Sequence, residues 1–419
     1  MIATPAPRVY KYVGENGLTV LHQKNPASRV FCIGVWINTG SRDEGRGEDG
    51  LCHFLEHMVF KGTKTRSAFE ISQSIEKVGG SLDAFTTREH VCVYAQVLED
   101  HRNLAIDLLS DMILNPTFPD DQVALERQVV LEEIGDVLDA PDDLIHDLFA
   151  AEIFPNHPLG RPILGTPQTV SAFNRAKLQR FATKHFRTSN VVVSICGDIG
   201  KKQIRRLADE SFSLPDGQIK RSSRRFGRFR PTRRQVRRKL HHQHICIGSP
   251  GYSYHDEKRY PALVLTTLLG GGMSSRLFQK IREELGIAYS VFTYADAARD
   301  TGLMGTYVSV KPSNAGRAIR EVFNEFGKIR RGALTKTELQ DNKEQLKGQI
   351  LLGLEASSSK MMRMARNETY YGRQVSEREL INKIDRVTMD DLMAVAAEAL
   401  HPRRNTIVSL GPSSAGLTG

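Results

Sequence analysis

The stretch GLCHFLEHM, residues 50–58, has the composition of an α-helix and contains two histidines and a glutamate. His53 and His57 are four residues apart, so on a helix both imidazoles project from the same face. Two imidazoles at this spacing suit a zinc ion. Glu56 lies on the same side of the helix, where a carboxylate can take a proton from water that a metal activates. The stretch therefore predicts a catalytic zinc helix, which needs a third metal ligand from another part of the chain.

A second helix, predicted over residues 120–139, offers that ligand. Glu126 and Glu133 lie on one stripe of this helix, and the other positions of the stripe are valines. Glu132 instead shares its face with polar and acidic residues, which is typical of a solvated surface. A carboxylate on an apolar face must be paired or bind a metal, because burying an unpaired charge is costly. We therefore predict Glu133 as the third zinc ligand and Glu126 as a carboxylate beside the ligands, with an ion pair to an arginine as the alternative.

The chain repeats its pattern once. Residues 29–36 and 244–248 have the pattern of buried strands, and each is followed by a polar loop, helical segments, strands and long helices. The repeat predicts an α+β protein of two similar α/β-sandwich halves, each with a mostly antiparallel sheet flanked by helices. We place a zinc-binding catalytic half at 1–214, a linker at 215–240 and a second half without the zinc motif at 241–419.

The formal net charge of +10 comes from one segment of the chain. Residues 215–240 hold eleven lysines and arginines and one acidic residue, so the rest of the 419 residues is neutral overall. One hypothesis is a nucleic-acid-binding patch, since Phe226 and Phe229 interleave with the arginines and could stack on bases. The alternative is a solvated linker. We favour the linker and expect no nucleic-acid partner, because no nucleic-acid-binding motif surrounds the segment.

Hydropathy and cysteine usage exclude further classes of protein. No apolar run approaches the roughly 18 residues that a membrane helix needs, so we expect no membrane association. Residues 1–7 lack the basic-then-apolar layout of a secretory signal. The five cysteines are odd in number and widely spaced, which argues against a disulfide framework and favours a reducing compartment.

Residues 50–63, GLCHFLEHMVFKGT, resemble the zinc helix of the pitrilysin-type metallopeptidases, which carry the motif HxxEH. Glu133 follows His57 by 76 residues, within the stretch ERQVVLEE at 126–133, and this too resembles that family. Over nearly its whole length the chain is similar to the mitochondrial processing peptidase β subunit and its bacterial homologues. The resemblance implies one Zn²⁺ per chain, because the second half has no counterpart of the motif. The roles that it implies are zinc ligands for His53, His57 and Glu133, catalytic base for Glu56 and helper carboxylate for Glu126.

The resemblance extends to segments that would hold the substrate. Residues 282–289 resemble a segment in which family members use an arginine and a tyrosine. Arg282 would hold a peptide carbonyl or carboxylate, and Tyr289 would donate a hydrogen bond to the oxyanion. The alternative is an arginine on a helix surface and a tyrosine in a strand core. On the predicted edge strand of the first half, Asp83 and Ala84 stand where the family often has Asn-Ala, and an ionised Asp83 only accepts hydrogen bonds.

The resemblance implies a zinc-dependent endopeptidase that cleaves unfolded or extended peptides, including presequence-like ones. Family members of this length typically pair two chains into a clamshell, so it also implies a homodimer. The glycine segment at 270–275 is short, unlike the long loop of the mitochondrial α subunit. This favours a self-contained bacterial enzyme of the cytoplasm, with the mitochondrial matrix as the alternative location. The alternative function is a non-catalytic scaffold or a partner subunit of a two-chain processing peptidase, against which the complete motif argues.

Overall fold

The computed structural model describes residues 8–26, 28–219, 226–227 and 229–412, which form two β-sheets flanked by helices. The strands of the first sheet are β1 Val9–Val13, β2 Thr19–Gln23, β3 Val30–Ile37, β4 Ser81–Thr86, β5 Val91–Leu98 and β6 Val191–Cys196. The strands of the second sheet are β7 Arg233–Arg237, β8 Gln243–Gly251, β9 Ala288–Ala297, β10 Gly302–Val310 and β11 Thr406–Gly411. The helices are α1 Leu51–Met58, α2 Ala68–Glu76, α3 Arg102–Leu114, α4 Asp120–Asp139, α5 Pro141–Ile153, α6 Pro167–Ser171, α7 Arg175–His185, α8 Lys201–Arg206, α9 Arg259–Gly270, α10 Ala315–Arg330, α11 Lys336–Gly353, α12 Ser357–Tyr371, α13 Glu377–Asp385 and α14 Met389–Ala399.

The sheet of the first unit has the order β1-β2-β6-β3-β5-β4. Its neighbouring strands are antiparallel except for β2 and β6, which run parallel. Strand β3 lies in the middle, and all its residues after the first are buried, because helices cover both faces of the sheet. Helices α1, α2 and α3 pack on the face that carries Ile33 and Val35. This arrangement sets α1 beside β4 and β5, at one edge of the sheet.

The other face of the first sheet is covered by α12, a helix from late in the chain. Met361 of α12 packs with Cys32 and Trp36 of β3 in one buried cluster. A Cβ atom on Gly34 would lie 2.6 Å from the Met361 sulfur, so the absence of a side chain on Gly34 lets the helix approach β3. The apolar second face of β3 thus recruits a helix that is more than 300 residues away in sequence.

The second unit has a sheet with the order β7-β11-β8-β10-β9, in which all neighbours except β7 and β11 are antiparallel. Helices α9, α10 and α14 bury one face of it in a second core. Helix α5 covers the other face, where Phe149 packs with Tyr307 and Val408. Two mostly antiparallel sheets flanked by helices confirm the predicted fold class.

The compact units do not follow the chain in two simple halves. Within the described residues, 137–160 belong to the second unit and 353–376 belong to the first. These segments carry α5 and α12, so one face of each sheet is covered by a helix from the other half of the chain. The units therefore depart from the predicted halves at 1–214 and 241–419 in these two segments, because burial of an open sheet face outweighs proximity in sequence.

The predicted linker is partly a strand. Residues 233–237 form β7, which pairs in parallel with β11 at the edge of the second sheet. Phe226 and Phe229 pack against an apolar cluster of the second unit, and the Phe226 ring meets Phe154 edge-on at 5.3 Å. Five of the eleven basic residues lie outside the described residues: Lys220, Arg221, Arg224, Arg225 and Arg228. Among the helices of the described ranges, none has the length and apolar character needed to cross a bilayer.

Candidate active site

Helix α1 is short and amphipathic, and its register decides which side chains reach the site. Its buried residues are Leu51, Cys52, Phe54, Leu55 and Met58, which enter the first core. The three residues of the helix that stay partly exposed are His53, Glu56 and His57. The 3.6-residue repeat therefore places both imidazoles and the carboxylate on the side of the helix that faces away from the core.

The two histidines and Glu133 of α4 converge on one point. The Nε2 atoms of His53 and His57 are 3.2 Å apart, and Glu133 Oε2 is 3.6 Å from each of them. Ligand atoms bound at 2.0–2.1 Å to a tetrahedral ion lie about 3.3 Å from one another. The three atoms thus have the spacing of zinc ligands. Within the described ranges, no other group of three His, Cys, Asp or Glu residues brings its ligand atoms within 4.8 Å of one another.

The chemistry of the donors also fits zinc. Two imidazole nitrogens and one carboxylate oxygen form the ligand set of many catalytic zinc sites, in which a fourth position stays open. Burial, with a smaller contribution from the neighbouring His57, lowers the pKa of His53 to about 3. His53 is therefore neutral at physiological pH and offers a lone pair, as a metal ligand must. These three residues are the ones that would hold the ion.

Glu126, two turns before Glu133 on α4, fixes the orientation of His57. Its Oε1 atom is 2.8 Å from His57 Nδ1, and its Oε2 atom is 2.6 Å from the Lys61 ammonium. Glu126 itself is 3% exposed, whereas the side chains of His57 and Lys61 are partly exposed, at 17% and 28%. A carboxylate on Nδ1 keeps the proton there and leaves the Nε2 lone pair directed at the metal position. Sequence reasoning missed Lys61, which lies three residues beyond the end of α1 and meets Glu126 only in the folded chain.

Glu56 lies beside the histidines but points to β4 instead of α4. The Thr86 hydroxyl at the end of β4 donates a hydrogen bond to Glu56 Oε2. Burial raises the pKa of the Glu56 carboxyl, and the hydrogen bond from Thr86 opposes this only in part. A carboxylate whose pKa is shifted towards neutrality is suited to accept and return a proton at physiological pH. Sequence reasoning did not single out Thr86, because nothing in the sequence brings β4 next to α1.

Strand β4, which carries Asp83 and Ala84, is the edge of the first sheet in the described part of the chain. Its one partner strand there is β5. Asp83 is exposed, and its carboxylate accepts a hydrogen bond of 3.1 Å from the Tyr94 hydroxyl. Ala84 is half-buried and packs against the first core. The edge has the arrangement to which an extended peptide can add as a further strand.

Arg282 and Tyr289 belong to the second unit. Arg282 is exposed on the helical segment Phe278–Glu284, with its guanidinium 4.8 Å from the centre of the Phe278 ring. Tyr289 lies on the edge strand β9, is 75% exposed and stacks on His242 at 5.8 Å. The interpretation of Tyr289 as a strand-core residue is therefore wrong, whereas Arg282 does lie on a helix surface. Their roles towards a substrate stay predictions.

Comparison with known proteins places this site in a family. Residues 19–167 match the profile of the insulinase family, peptidase family M16, and residues 172–346 match the peptidase M16 inactive domain. The chain is 36% identical over 390 residues to the uncharacterized zinc protease YmxG of Bacillus subtilis, covering 93% of this chain and 95% of the relative. It is 39% identical over 403 residues to the uncharacterized zinc protease ML0855 of Mycobacterium leprae, covering 94% of this chain and 90% of that one.

Two solved structures share the fold. A peptidase M16 inactive domain from Pseudomonas fluorescens superposes with a TM-score of 0.90 at 19% identity, covering 97% of this chain and 98% of the other. A protease from Helicobacter pylori also gives a TM-score of 0.90, at 21% identity, covering 97% of this chain and all of the other. The resemblance inferred from residues 50–63 and 126–133 is confirmed, and the chain belongs to peptidase family M16, the pitrilysin-type family of zinc proteases.

Proposed function

We propose that this protein is a zinc-dependent endopeptidase that cleaves unfolded or extended peptides. The observation that carries the proposal is the convergence of two imidazole nitrogens and the Glu133 carboxylate, with a second carboxylate, Glu56, on the same helix face. The names of the relatives support the broader assignment, since they are zinc proteases whose substrates those names do not give.

The chain's own residues supply the proton transfer. A zinc ion held by His53, His57 and Glu133 would polarise the scissile carbonyl and make water more acidic. Glu56 accepts a proton from the attacking water and later gives it to the leaving amine. Thr86 holds one oxygen of the Glu56 carboxylate, so that the carboxylate keeps one orientation.

Substrate binding is proposed along the edge of the first sheet. A peptide that adds to β4 would receive backbone hydrogen bonds along Ser81–Thr86, on the strand that also holds Glu56 through Thr86. Only an extended segment can pair in this way, and this favours unfolded peptides, presequence-like ones among them, over folded proteins. Asp83 accepts hydrogen bonds and favours a donor or a basic group nearby. In the second unit, we assign oxyanion stabilisation to Tyr289 and substrate binding to Arg282, on the family resemblance.

We further propose that the protein works as a homodimer in a bacterial cytoplasm. The relatives at 36–39% identity are bacterial. All five cysteines are free thiols and are buried, which suits a reducing compartment. A non-catalytic scaffold would not need the groups that this site brings together. They are two histidines and Glu133 at metal-binding spacing, and the buried carboxylate of Glu126.

Peptide cleavage tests the proposal directly. Purified protein with measured zinc content is incubated with a library of unstructured peptides, beside the variants Glu56→Gln and Glu132→Gln. Glu132 is the control, because it is exposed on the same helix as Glu133 and outside the site. We expect cleavage by the wild type and by Glu132→Gln, and none by Glu56→Gln although it binds zinc. Absence of cleavage by the zinc-loaded wild type would refute the peptidase assignment, and cleavage by Glu56→Gln would refute the base.

A further inference from the structure

The zinc helix α1 begins without a capping side chain of its own. The residue at its N-terminal cap is Gly50, with a left-handed φ of 93°. A Cβ atom at this position would lie 2.4 Å from the Leu164 carbonyl oxygen, so no Ser, Thr, Asp or Asn can stand there to cap the helix. The first turn of an eight-residue helix must therefore find acceptors for its free N–H groups elsewhere.

The Glu48 carbonyl oxygen accepts a hydrogen bond of 2.9 Å from the Leu51 N–H, and Glu44 of the preceding loop supplies two further acceptors. Its Oε2 atom accepts a hydrogen bond of 3.0 Å from the Gly50 N–H, and its Oε1 atom accepts one of 2.7 Å from the Cys52 N–H. The carboxyl group thus binds the N-terminal turn with both oxygens. Burial raises the pKa of Glu44 to about 8, and the hydrogen bonds from the Cys52 and Gly50 N–H groups oppose this only in part.

Glu44 is 0% exposed, and in the described chain no lysine or arginine forms an ion pair with its carboxylate. Burying a carboxyl group without a cation is costly unless hydrogen bonds satisfy it, and here the Gly50 and Cys52 N–H groups do so. The loop itself is anchored, because Arg161 binds both the Glu44 carbonyl oxygen at 3.2 Å and the Asp49 carboxylate at 2.9 Å. The backbone of Glu44 is therefore held by a contact outside α1.

The residue after Cys52 is His53, the first zinc ligand of the helix. His53 lies in the turn that Glu44 caps, whereas His57 is one turn further on and is held by Glu126. We propose that Glu44 is a positioning residue for zinc binding: it fixes the first turn of α1 so that His53 Nε2 stays directed at the metal position. This inference rests on the proposed zinc site and deepens it. Glu126 holds His57 through a ring nitrogen, and Glu44 holds His53 through the backbone of the neighbouring Cys52.

The test is the zinc affinity of Glu44→Gln, measured by competition with a chromophoric chelator well below the melting temperature. Glutamine keeps the volume but turns a donor amide towards one of the two N–H groups. Changes to groups that support metal ligands typically weaken binding by about 10–100-fold, and we expect about tenfold here. Glu48→Gln is the matched control, since the Glu48 carboxylate accepts a hydrogen bond from Gly45 N–H in the same loop and has no hydrogen bond to α1.

A purely structural role for Glu44 predicts a lower melting temperature with the zinc affinity of the folded protein unchanged. That result would overturn the inference. If Glu44→Gln does not fold, Glu44→Asp takes its place. Aspartate keeps the carboxyl group but is one methylene too short to reach both N–H groups, and we expect weaker zinc binding from it as well. A wild type that binds zinc but cleaves no peptide would sink the proposed function and leave the role of Glu44 standing. A Glu44→Gln or Glu44→Asp variant that binds zinc like the wild type would refute the role of Glu44 and leave the proposed function standing.

Discussion

Replacing Glu126 by glutamine should weaken zinc binding without unfolding the protein. The variant keeps the size of a side chain that is 3% exposed, but removes the charge that His57 Nδ1 and Lys61 share. A hydrogen bond to a charged group is worth about 1.5–3 kcal/mol, and one between neutral groups about 0.5–1.5 kcal/mol. The difference of about 1–1.5 kcal/mol corresponds to roughly tenfold in the dissociation constant.

The assay is chelator competition with purified protein, with Glu132→Gln as control on the exposed side of the same helix. We expect the dissociation constant for zinc to rise about tenfold in Glu126→Gln, within the range typical of groups behind metal ligands, and to stay unchanged in the control. A second variant, Lys61→Met, leaves the His57 hydrogen bond in place and should have a smaller effect on zinc. A change of less than twofold in Glu126→Gln would refute the view that this carboxylate orients His57.

Three further predictions concern stability and catalysis. Burial alone raises the pKa of Asp111, but hydrogen bonds, led by those from Thr63 and Thr65, outweigh it and hold the pKa below its usual value. The stability that Asp111 contributes is therefore present above about pH 4 and lost as the pH falls through its lowered pKa. Urea unfolding of Asp111→Asn should show about 1–3 kcal/mol less stability than the wild type at pH 7. The free energy of unfolding of this variant should also depend less on pH below about pH 4. Met361→Ala should cost about 2–5 kcal/mol because its side chain is fully buried between α12 and the first sheet, whereas Leu352→Ala, at a position 77% exposed, should be nearly neutral in thermal unfolding. Tyr289→Phe should lower kcat about 100-fold in the peptide assay at unchanged zinc affinity; an unchanged kcat would remove Tyr289 from the proposed mechanism.

The sequence alone identified the site's central residues because their arrangement is local. Helical periodicity places His53, Glu56 and His57 on one face of α1, and the same periodicity puts Glu126 and Glu133 on one stripe of α4. An apolar stripe broken by carboxylates signals a buried partner, which is why Glu133 stood out from Glu132. The fold class followed from the repeat, and the family from the resemblance of residues 50–63 and 126–133 to known members.

The partners of the site residues depend on contacts between segments that are distant in the chain. Lys61 binds Glu126, which in turn holds His57, and Thr86 binds Glu56. Glu44 binds the first turn of α1. Their roles cannot be read from the sequence, because they arise only when a loop, a strand and two helices pack together.

The chain itself determines which residues can bind a metal and move a proton, since backbone periodicity and side-chain chemistry are local properties. Only the tertiary structure decided which groups orient them and which helices cover each sheet. Helices α5 and α12 pack on the sheet whose open apolar face they match, not on the strands nearest in sequence. The physical reason is that the free energy gained by burying apolar surface depends on the shape and area of that surface, and not on how far apart the two segments lie in the sequence.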